Sequence, residues 1–269
     1  MNILKLLKSQ AINVVEWYYS RKYLFKQKKA ESFVSNSFTD SPEIKMEKLK
    51  IQRVLPFSEL VAIWTYKDES WNYIKNLTEY RSQMKAGNTI SYTDNPCHGY
   101  PDKYLVRHDY GDILVDTLPI NDNWLCFFLN DLHLEQYVLS FDIELASDFT
   151  EVQVAFRYKD LGNRYRFMIR NNSEAVFECV YQGEFYHSLR SIPYRLDHGA
   201  KSRVTVVVLK NCFQFMIDQC CVFTIKEKKS LVDGTDLGII LWNKNDTTPI
   251  RCQISNLSLM VVTEDGNRA

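Results

Sequence analysis

The chain has 269 residues, and its 33 basic and 33 acidic side chains give a formal net charge of zero. This length is enough for one large β domain with an appendage, or for two small domains, each with a buried core. The balanced charge excludes a global positive field, so we expect no nucleic-acid partner. Aromatic residues make up 13% of the chain, which suits a β-rich protein whose rings pack between sheets or line a surface for polar ligands.

Residues 1 to 30 carry apolar side chains at spacings of three and four, which predicts an amphipathic helix. Its basic side chains are opposed only by Glu16. Three interpretations remain open: the helix packs across the main domain, lies on an anionic membrane surface or docks on a protein partner. The sequence shows no signal peptide and no membrane span, so we expect a cytoplasmic protein, peripheral to a membrane if this helix contacts one.

The next segments precede the main domain. Residues 31–50 are polar, with Pro42 among serines and acids, and predict a linker that completes a first unit over 1–50. Residues 51–100 predict a mixed segment that packs on the main domain. In it, a strand interrupted by Pro56 competes with a helix that begins near Ser58, and a further helix is expected from Glu69 to Met84.

Residues 101–262 alternate apolar and polar side chains in short runs that are separated by turn signals such as Asn171-Asn172-Ser173 and Asp233-Gly234. About ten strands without a long helix between them predict a mainly β fold, a two-sheet antiparallel β-sandwich of the jelly-roll kind with an N-terminal helical extension. A disordered tail is expected over 263–269. The expected strands include 104–106, 113–115, 138–145, 152–158, 165–170, 175–181, 204–209, 213–217, 222–225, 237–241 and 250–261.

Seven cysteines without a C-x-x-C pair argue against a zinc site and against a complete disulfide framework. Cys179, Cys212 and Cys252 lie in apolar strand-like runs, where a free cysteine usually acts as a small core residue. The five histidines are scattered and no nucleotide-binding or serine-nucleophile motif occurs. We therefore expect no metal and no cofactor.

The segment AFRYKDLGNRYRFMIRNN resembles a phrase of the concanavalin A-like or laminin-G-like jelly rolls. It is most similar to a bacterial glycoside-hydrolase-like domain of unknown function. The match covers roughly residues 114 to 262 and implies the jelly-roll fold, but folds of this kind host lectins, glycosidases and interaction domains, so it implies no single function. The matching residues are Phe156, Arg157, Tyr158, Asp160, Asn163, Tyr165 and Phe167, with Leu237–Trp242 and Ile254–Leu257 resembling the last two strands.

Asp142 and Glu144 stand two residues apart on the polar face of one expected strand, which places their carboxyl groups roughly 6 to 7 Å apart. This separation lies in the range of the paired acids in glycoside hydrolysis. The resembling retaining glycosidases carry a third acid in this strand, and here Ser140 occupies that position. Catalysis by Asp142 and Glu144 is therefore the alternative hypothesis, and two solvated acids are the simpler one.

Guanidinium groups, amides and aromatic rings cluster at residues 157–166 and again at Trp242 and Asn243. The polar groups can bind sugar hydroxyls, and the rings can stack on pyranose rings. Strand alternation predicts that Arg164, Arg166, Met168 and Arg170 share one face. Pairing of these arginines with acids such as Asp142, Glu144 or Glu178 across the sheet is the competing interpretation. The expected ligand-binding residues are Arg157, Tyr158, Asn163, Arg164, Arg166, Trp242 and Asn243.

The favoured hypothesis is a non-catalytic carbohydrate-binding, lectin-like module, or an interaction module, whose partner is a saccharide. The first alternative is a glycoside-hydrolase-like enzyme that uses Asp142 and Glu144. The second is a scaffold that docks on a membrane or a partner through the basic helix of residues 1–30.

Overall fold

The computed structural model describes residues 28, 30–55, 64–67, 89–91, 104–109, 112–117, 123–129, 134–160, 162–244 and 247–264. The predicted helix over residues 1–30 lies outside this set except for residues 28 and 30. The helix expected from Glu69 to Met84 also lies outside the described residues.

Helix α1 (30–36) precedes seventeen strands in the described part of the chain. No helix in this part is long and apolar enough to cross a bilayer. The strands are β1 (Phe38–Asp40), β2 (Leu49–Leu55), β3 (Trp64–Lys67), β4 (Thr89–Ser91), β5 (Tyr104–Asp109), β6 (Asp112–Thr117), β7 (Asn123–Leu129), β8 (Tyr137–Leu145), β9 (Glu151–Asp160), β10 (Asn163–Arg170), β11 (Glu174–Tyr181), β12 (Glu184–Pro193), β13 (Lys201–Val208), β14 (Cys212–Ile217), β15 (Cys220–Glu227), β16 (Asp236–Asn243) and β17 (Arg251–Glu264).

The strands form two sheets, and every strand pair is antiparallel. Sheet I has the order β1-β15-β14-β13-β8-β17-β6-β5-β4, with β2 paired to β17, and sheet II has the order β12-β11-β10-β9-β16-β7-β3. The two-sheet antiparallel sandwich predicted from the sequence is confirmed. The strands expected at 104–106 and 113–115 are present as β5 and β6, which pair with each other. The last strand reaches Glu264 and so enters the segment 263–269, where a tail was expected.

The core lies between the sheets and follows the alternation of the sequence. In β8, the side chains of Leu139, Phe141, Ile143 and Leu145 are buried in it, as predicted for a half-buried strand. Val138 points the other way and joins a small apolar cluster on the outer side of sheet I, together with Val207, Leu209 and Val262.

Aromatic rings fill much of this core and connect the sheets. Phe167 of β10 stacks on Phe215 of β14 with 5.1 Å between ring centroids, and on Phe156 of β9 at 5.0 Å. Phe38 of β1 meets the Tyr165 ring edge-on at 5.5 Å. The high aromatic content therefore serves packing between sheets, where ring pairs add stability beyond their buried area.

The segment 31–50, where the sequence predicts a linker, is part of the fold. It contains α1, β1, a turn of 3-10 helix at Met46–Lys48 and the first residues of β2. Ile44, Met46 and Leu49 pack against the outer cluster of sheet I, and the buried side chain of Gln214 accepts a hydrogen bond from the Ile44 N–H. A few apolar residues are enough to hold this segment in place, because it packs on the outer cluster of sheet I and does not form a core of its own.

The connection after Gly183 is also a strand, β12, which the sequence analysis did not predict. Its register with β11 shifts between Phe177 and Cys179, and this irregularity disrupts the period-two pattern by which strands are recognised. Tyr186 of this strand and Tyr194 directly after it are partly buried against the core.

A buried hydrogen bond joins the two sheets across the core. The Tyr165 hydroxyl of β10 donates to the Glu227 carboxylate at the end of β15. The same carboxylate accepts from the Leu231 N–H at 2.9 Å, and the tyrosine oxygen accepts from the Val232 N–H at 3.1 Å. Burial raises the pKa of Glu227, while the Tyr165 hydroxyl lowers it. We call this group the Tyr165–Glu227 hub.

We predict that Tyr165→Phe lowers the free energy of unfolding by about 1 to 3 kcal/mol, because it leaves a buried carboxylate short of one donor. Denaturant titration measures this change. The matched control is Tyr181→Phe, whose hydroxyl accepts from Gln182 at an exposed turn, and we expect it to change stability by less than about 0.5 kcal/mol. Equal effects of the two substitutions would contradict the importance of the hub.

Candidate functional site

The outward-facing side of sheet II is polar at its centre. Strand β10 turns Tyr165, Phe167 and Ile169 into the core, so the alternate residues Arg164, Arg166, Met168 and Arg170 lie on the outer side, as predicted. Neighbouring strands contribute acids and an amide to the same side. The outer network consists of Glu151, Gln153, Arg166, Arg170 and Glu178.

Hydrogen bonds connect every member of the outer network. The Arg166 guanidinium donates to Glu178, its cross-strand partner, and to Gln153 at 3.0 Å. Arg170 donates to Glu178 at 2.8 Å and to Glu151 at 3.0 Å, and the Gln153 amide donates to Glu151. Guanidinium groups held by several carboxylates keep one orientation, so the network presents fixed donors.

The centre of the outer network is inaccessible to solvent. Glu178 and Gln153 are 0% exposed, and Arg166 is 3% exposed. Burial raises the pKa of Glu151, although Arg166 and Arg170 lower it. These central residues support a surface but cannot themselves contact a ligand in this conformation.

One cross-strand row of this side is accessible at three of its four positions. Trp242 lies beside Glu151, Glu151 lies beside Arg170, and Arg170 lies beside Glu174 in the register of strands β16, β9, β10 and β11. Directly paired residues share a face of the sheet, about 5 Å apart. Trp242 is half-buried, the Arg170 side chain is 19% exposed and that of Glu174 is 32% exposed, whereas Glu151 between them is buried, with 4% exposed. We call these four residues the exposed row.

Two aromatic rings flank the arginines at the other end of β10. The Arg164 guanidinium lies 5.9 Å from the Tyr158 ring centroid and 5.7 Å from that of Phe185, and Arg166 lies 5.3 Å from Phe185. These distances are those of cation–π contacts. Phe185 is 48% exposed, so an aromatic surface borders the network on this side.

Three of the expected ligand-binding residues lie elsewhere. Arg157 has a positive φ of 45° and donates to the backbone carbonyls of Leu209 and Lys210, so it ties β9 to the turn after β13. The Asn163 side chain donates to Asp160 at 2.9 Å and accepts from the Gln182 N–H at 3.1 Å. Both residues fix connections between strands, which explains their polar character without a ligand.

Asn243 is the third of these residues, and it closes the loop that follows β16. It is 1% exposed, and its side chain donates to the Thr248 carbonyl and accepts from the Thr150 hydroxyl. Its neighbour Trp242 points to the outer side. The expected set is therefore divided: Tyr158, Arg164, Arg166 and Trp242 share the outer side of sheet II, whereas Arg157, Asn163 and Asn243 do not.

Asp142 and Glu144 belong to sheet I, away from this face. The Asp142 carboxylate accepts from Arg203 at 2.9 Å and from the Asn256 amide at 2.6 Å. Burial raises its pKa, but these two hydrogen bonds outweigh burial, and the net pKa of Asp142 is lowered. A catalytic proton donor needs a raised pKa, so the local geometry does not favour that role for Asp142.

Two of the three cysteines expected in the core, Cys179 and Cys252, lie there. Cys179 and Cys252 are buried free thiols, and Cys212 is half-buried. Burial raises the pKa of the Cys252 thiol to about 12, which leaves it unreactive. Within the described ranges, no three His, Cys, Asp or Glu residues come together as metal ligands do.

Glu151, Gln153 and Phe185 are the members of this face that the sequence analysis missed. Glu151 and Gln153 alternate with buried Val152 and Val154, so a period-two analysis of this strand alone would have placed them opposite the core. Glu178 was expected as a pairing partner of the arginines, and the ion pairs with Arg166 and Arg170 confirm that interpretation.

No family model and no curated protein matches this chain. Solved structures similar to it include the carbohydrate-binding module CBM66 from Bacillus subtilis, with 14% identity, a TM-score of 0.39 and coverage of 58% of this chain and 86% of that one. A galectin-like protein of unknown function from Bacillus subtilis has 8% identity, a TM-score of 0.45 and coverage of 60% and 88%. The exoplasmic/lumenal domain of VIP36, in a Ca2+/Man3GlcNAc-bound form, has 10% identity, a TM-score of 0.47 and coverage of 83% and 92%.

We predict that Glu151→Gln makes stability less dependent on pH. Burial makes the pKa of Glu151 higher in the folded than in the unfolded state. The stability that this group contributes is therefore complete below its unfolded-state pKa of about 4.3, and it is lost as pH rises through its folded-state pKa. The variant should therefore lose less unfolding free energy than the parent between about pH 4 and 7. Denaturant titrations across this range measure the difference.

Asp142→Asn is the matched contrast, because the pKa of Asp142 is shifted the other way. The stability that Asp142 contributes is present above its unfolded-state pKa of about 3.9, and it is lost as pH falls through its lowered folded-state pKa. This variant should be less stable than the parent at neutral pH and should approach it in acid. If the free energy of unfolding depended on pH in the same way in the parent and in both variants, the opposite pKa shifts assigned to Glu151 and Asp142 would be contradicted.

Proposed function

We propose that this protein is a non-catalytic, lectin-like module that binds a saccharide along the exposed row of sheet II. The observation that carries the proposal is the row itself: Trp242, Glu151, Arg170 and Glu174 are neighbours on consecutive strands, so an indole ring adjoins alternating charged groups. Sugars offer apolar C–H faces together with hydroxyl groups, and this combination of side chains complements both.

Preorganisation supports the proposal. Arg170 is held by Glu151 at 3.0 Å and by Glu178 at 2.8 Å, with Glu174 at 3.6 Å. A side chain fixed in this way loses little conformational freedom when a ligand binds, which leaves more of the interaction energy for affinity. The inaccessible centre of the outer network thus acts as the support of the accessible row.

The charge balance favours a neutral saccharide over an acidic one. Three arginines on one face could attract an anion, but Arg166 and Arg170 are paired with the three carboxylates of Glu151, Glu174 and Glu178. An anionic ligand at Arg170 would lie beside the partly exposed Glu174 carboxylate and above the two buried carboxylates, which would repel it. A hydroxyl group can donate to the partly exposed Glu174 carboxylate and accept from Arg170, so a neutral saccharide can bind both charged groups.

A glycan array followed by calorimetry on the best ligand tests the proposal. We expect Trp242→Ala to weaken binding at least about 5-fold, because it removes the stacking surface. Glu174→Gln should weaken binding by a smaller factor, since it keeps the shape and removes one charge-assisted acceptor. The control is Asp142→Asn on sheet I, which should bind as the parent does.

Thermal unfolding of each variant separates lost binding from lost folding. The proposal fails if no saccharide binds the parent, or if folded Trp242→Ala and Glu174→Gln variants both bind with unchanged affinity. It also fails if the saccharides whose binding is weakened by Trp242→Ala are all acidic, as the paired charges of the exposed row exclude that preference.

A further inference from the structure

A second polar surface lies at the junction of α1 with the segment that follows β15. A cavity of about 380 Å³ opens there, within the range of small-ligand sites. We call it the lysine cavity, and its lining residues are Ser32, Phe33, Asn36, Ser37, Lys228 and Lys229.

Backbone hydrogen bonds fix the two walls of the lysine cavity to each other. The Lys228 N–H donates to the Ser37 carbonyl at 2.8 Å, and the Ser37 N–H donates to the Val34 carbonyl at 3.0 Å. Directly below, Phe38 of β1 pairs with Glu227 of β15. Val34, Ser37 and Phe38 are buried, so both walls are anchored to the sandwich.

The lining groups are those that bind a small anionic molecule. The Lys229 ammonium lies 5.5 Å from the centroid of the Phe33 ring, which is 44% exposed. Asn36 donates its amide hydrogen to the Ser32 hydroxyl at 3.2 Å, and the hydroxyl keeps its own hydrogen for another acceptor. An exposed ring, a hydroxyl donor, the Lys229 ammonium and a second lysine, Lys228, thus line one cavity.

The local charge is positive, in contrast to the outer network. In the part of the chain that the structure describes, no carboxylate lies within ion-pair distance of Lys228 or Lys229. Glu227, next in sequence, is buried and turned to Tyr165 and the Leu231 N–H. Glu31 lies on α1 but does not line the cavity.

We propose that the lysine cavity binds a small soluble molecule through an anionic group, a phosphate or a carboxylate. The two ammonium groups hold the anion, the Ser32 hydroxyl donates a further hydrogen bond, and the Phe33 ring contacts the body of the ligand. This site is separate from the exposed row and does not depend on the proposed function.

Calorimetry with glucose 6-phosphate, glucuronate, glucose and inorganic phosphate tests the site. We expect both anionic sugars to bind and glucose not to bind at this site, with an affinity that falls as salt is raised. Inorganic phosphate should bind more weakly than glucose 6-phosphate, because it makes no contact with Phe33. Binding of inorganic phosphate alone would overturn the assignment to a small molecule with an organic body.

The Lys228→Gln/Lys229→Gln double variant should weaken glucose 6-phosphate binding about 10-fold or more. Lys226→Gln is the matched control, since Lys226 is an exposed lysine of β15 outside the cavity. Phe33→Ala should weaken both anionic sugars and leave inorganic phosphate unchanged. Thermal unfolding is measured first, to show that each variant has the same unfolding temperature as the parent protein.

Three results would overturn the proposal. The first is unchanged affinity of the double variant, and the second is the absence of binding by any of the anions. The third is binding to phosphatidylserine vesicles that the double variant loses while the small anions do not bind, which would identify a membrane surface as the ligand. Trp242→Ala must keep glucose 6-phosphate binding, because its loss would place that ligand at the exposed row.

Discussion

The hydrogen bond between Tyr165 and Glu227 is the polar constraint on which the arrangement of the two sheets depends. It crosses an otherwise apolar core from β10 of sheet II to the end of β15 of sheet I. The same pair accepts backbone hydrogens from Leu231 and Val232, so it also fixes the connection that leads from sheet I to β16. A buried polar group costs stability unless it is satisfied, and therefore one arrangement of this connection is favoured over others.

Strand β10 carries this constraint on one face and the arginines on the other. Fixing Tyr165 fixes the register of β10, and with it the placement of Arg166 opposite Glu178 and of Arg170 opposite Glu174. A shift by one residue would bring the arginines into the aromatic core, where unpaired guanidinium groups are strongly unfavourable. The core residues and the surface residues of β10 thus favour the same register, and this register determines which side chains are neighbours in the exposed row.

Much of the fold was predictable from the sequence because alternation is a local property. Residues 139–145 and 165–170 show it clearly, and both sides of these strands were assigned correctly. Strand β12 was not predictable, since its bulge opposite Phe177 interrupts the alternation, and β1 is only three residues long. For the candidate site, residue type did not predict that Arg157, Asn163 and Asn243 lie away from the outer side of sheet II and that their polar groups bind backbone atoms or turn residues. Such partners depend on tertiary contacts between distant strands, which residue types alone do not reveal.

The two polar surfaces differ in how their charges are satisfied, and this difference follows from their positions in the fold. The arginines of β10 stand in the middle of a sheet, where paired strands supply carboxylates at fixed spacing and compensate each guanidinium. Lys228 and Lys229 come after the last residue of β15, where no further strand partner exists in the described structure, and the adjacent acid Glu227 is already used inside the core. A sheet interior therefore produces a neutral, preorganised surface suited to hydroxyl groups, whereas the strand end leaves a positive surface suited to an anion.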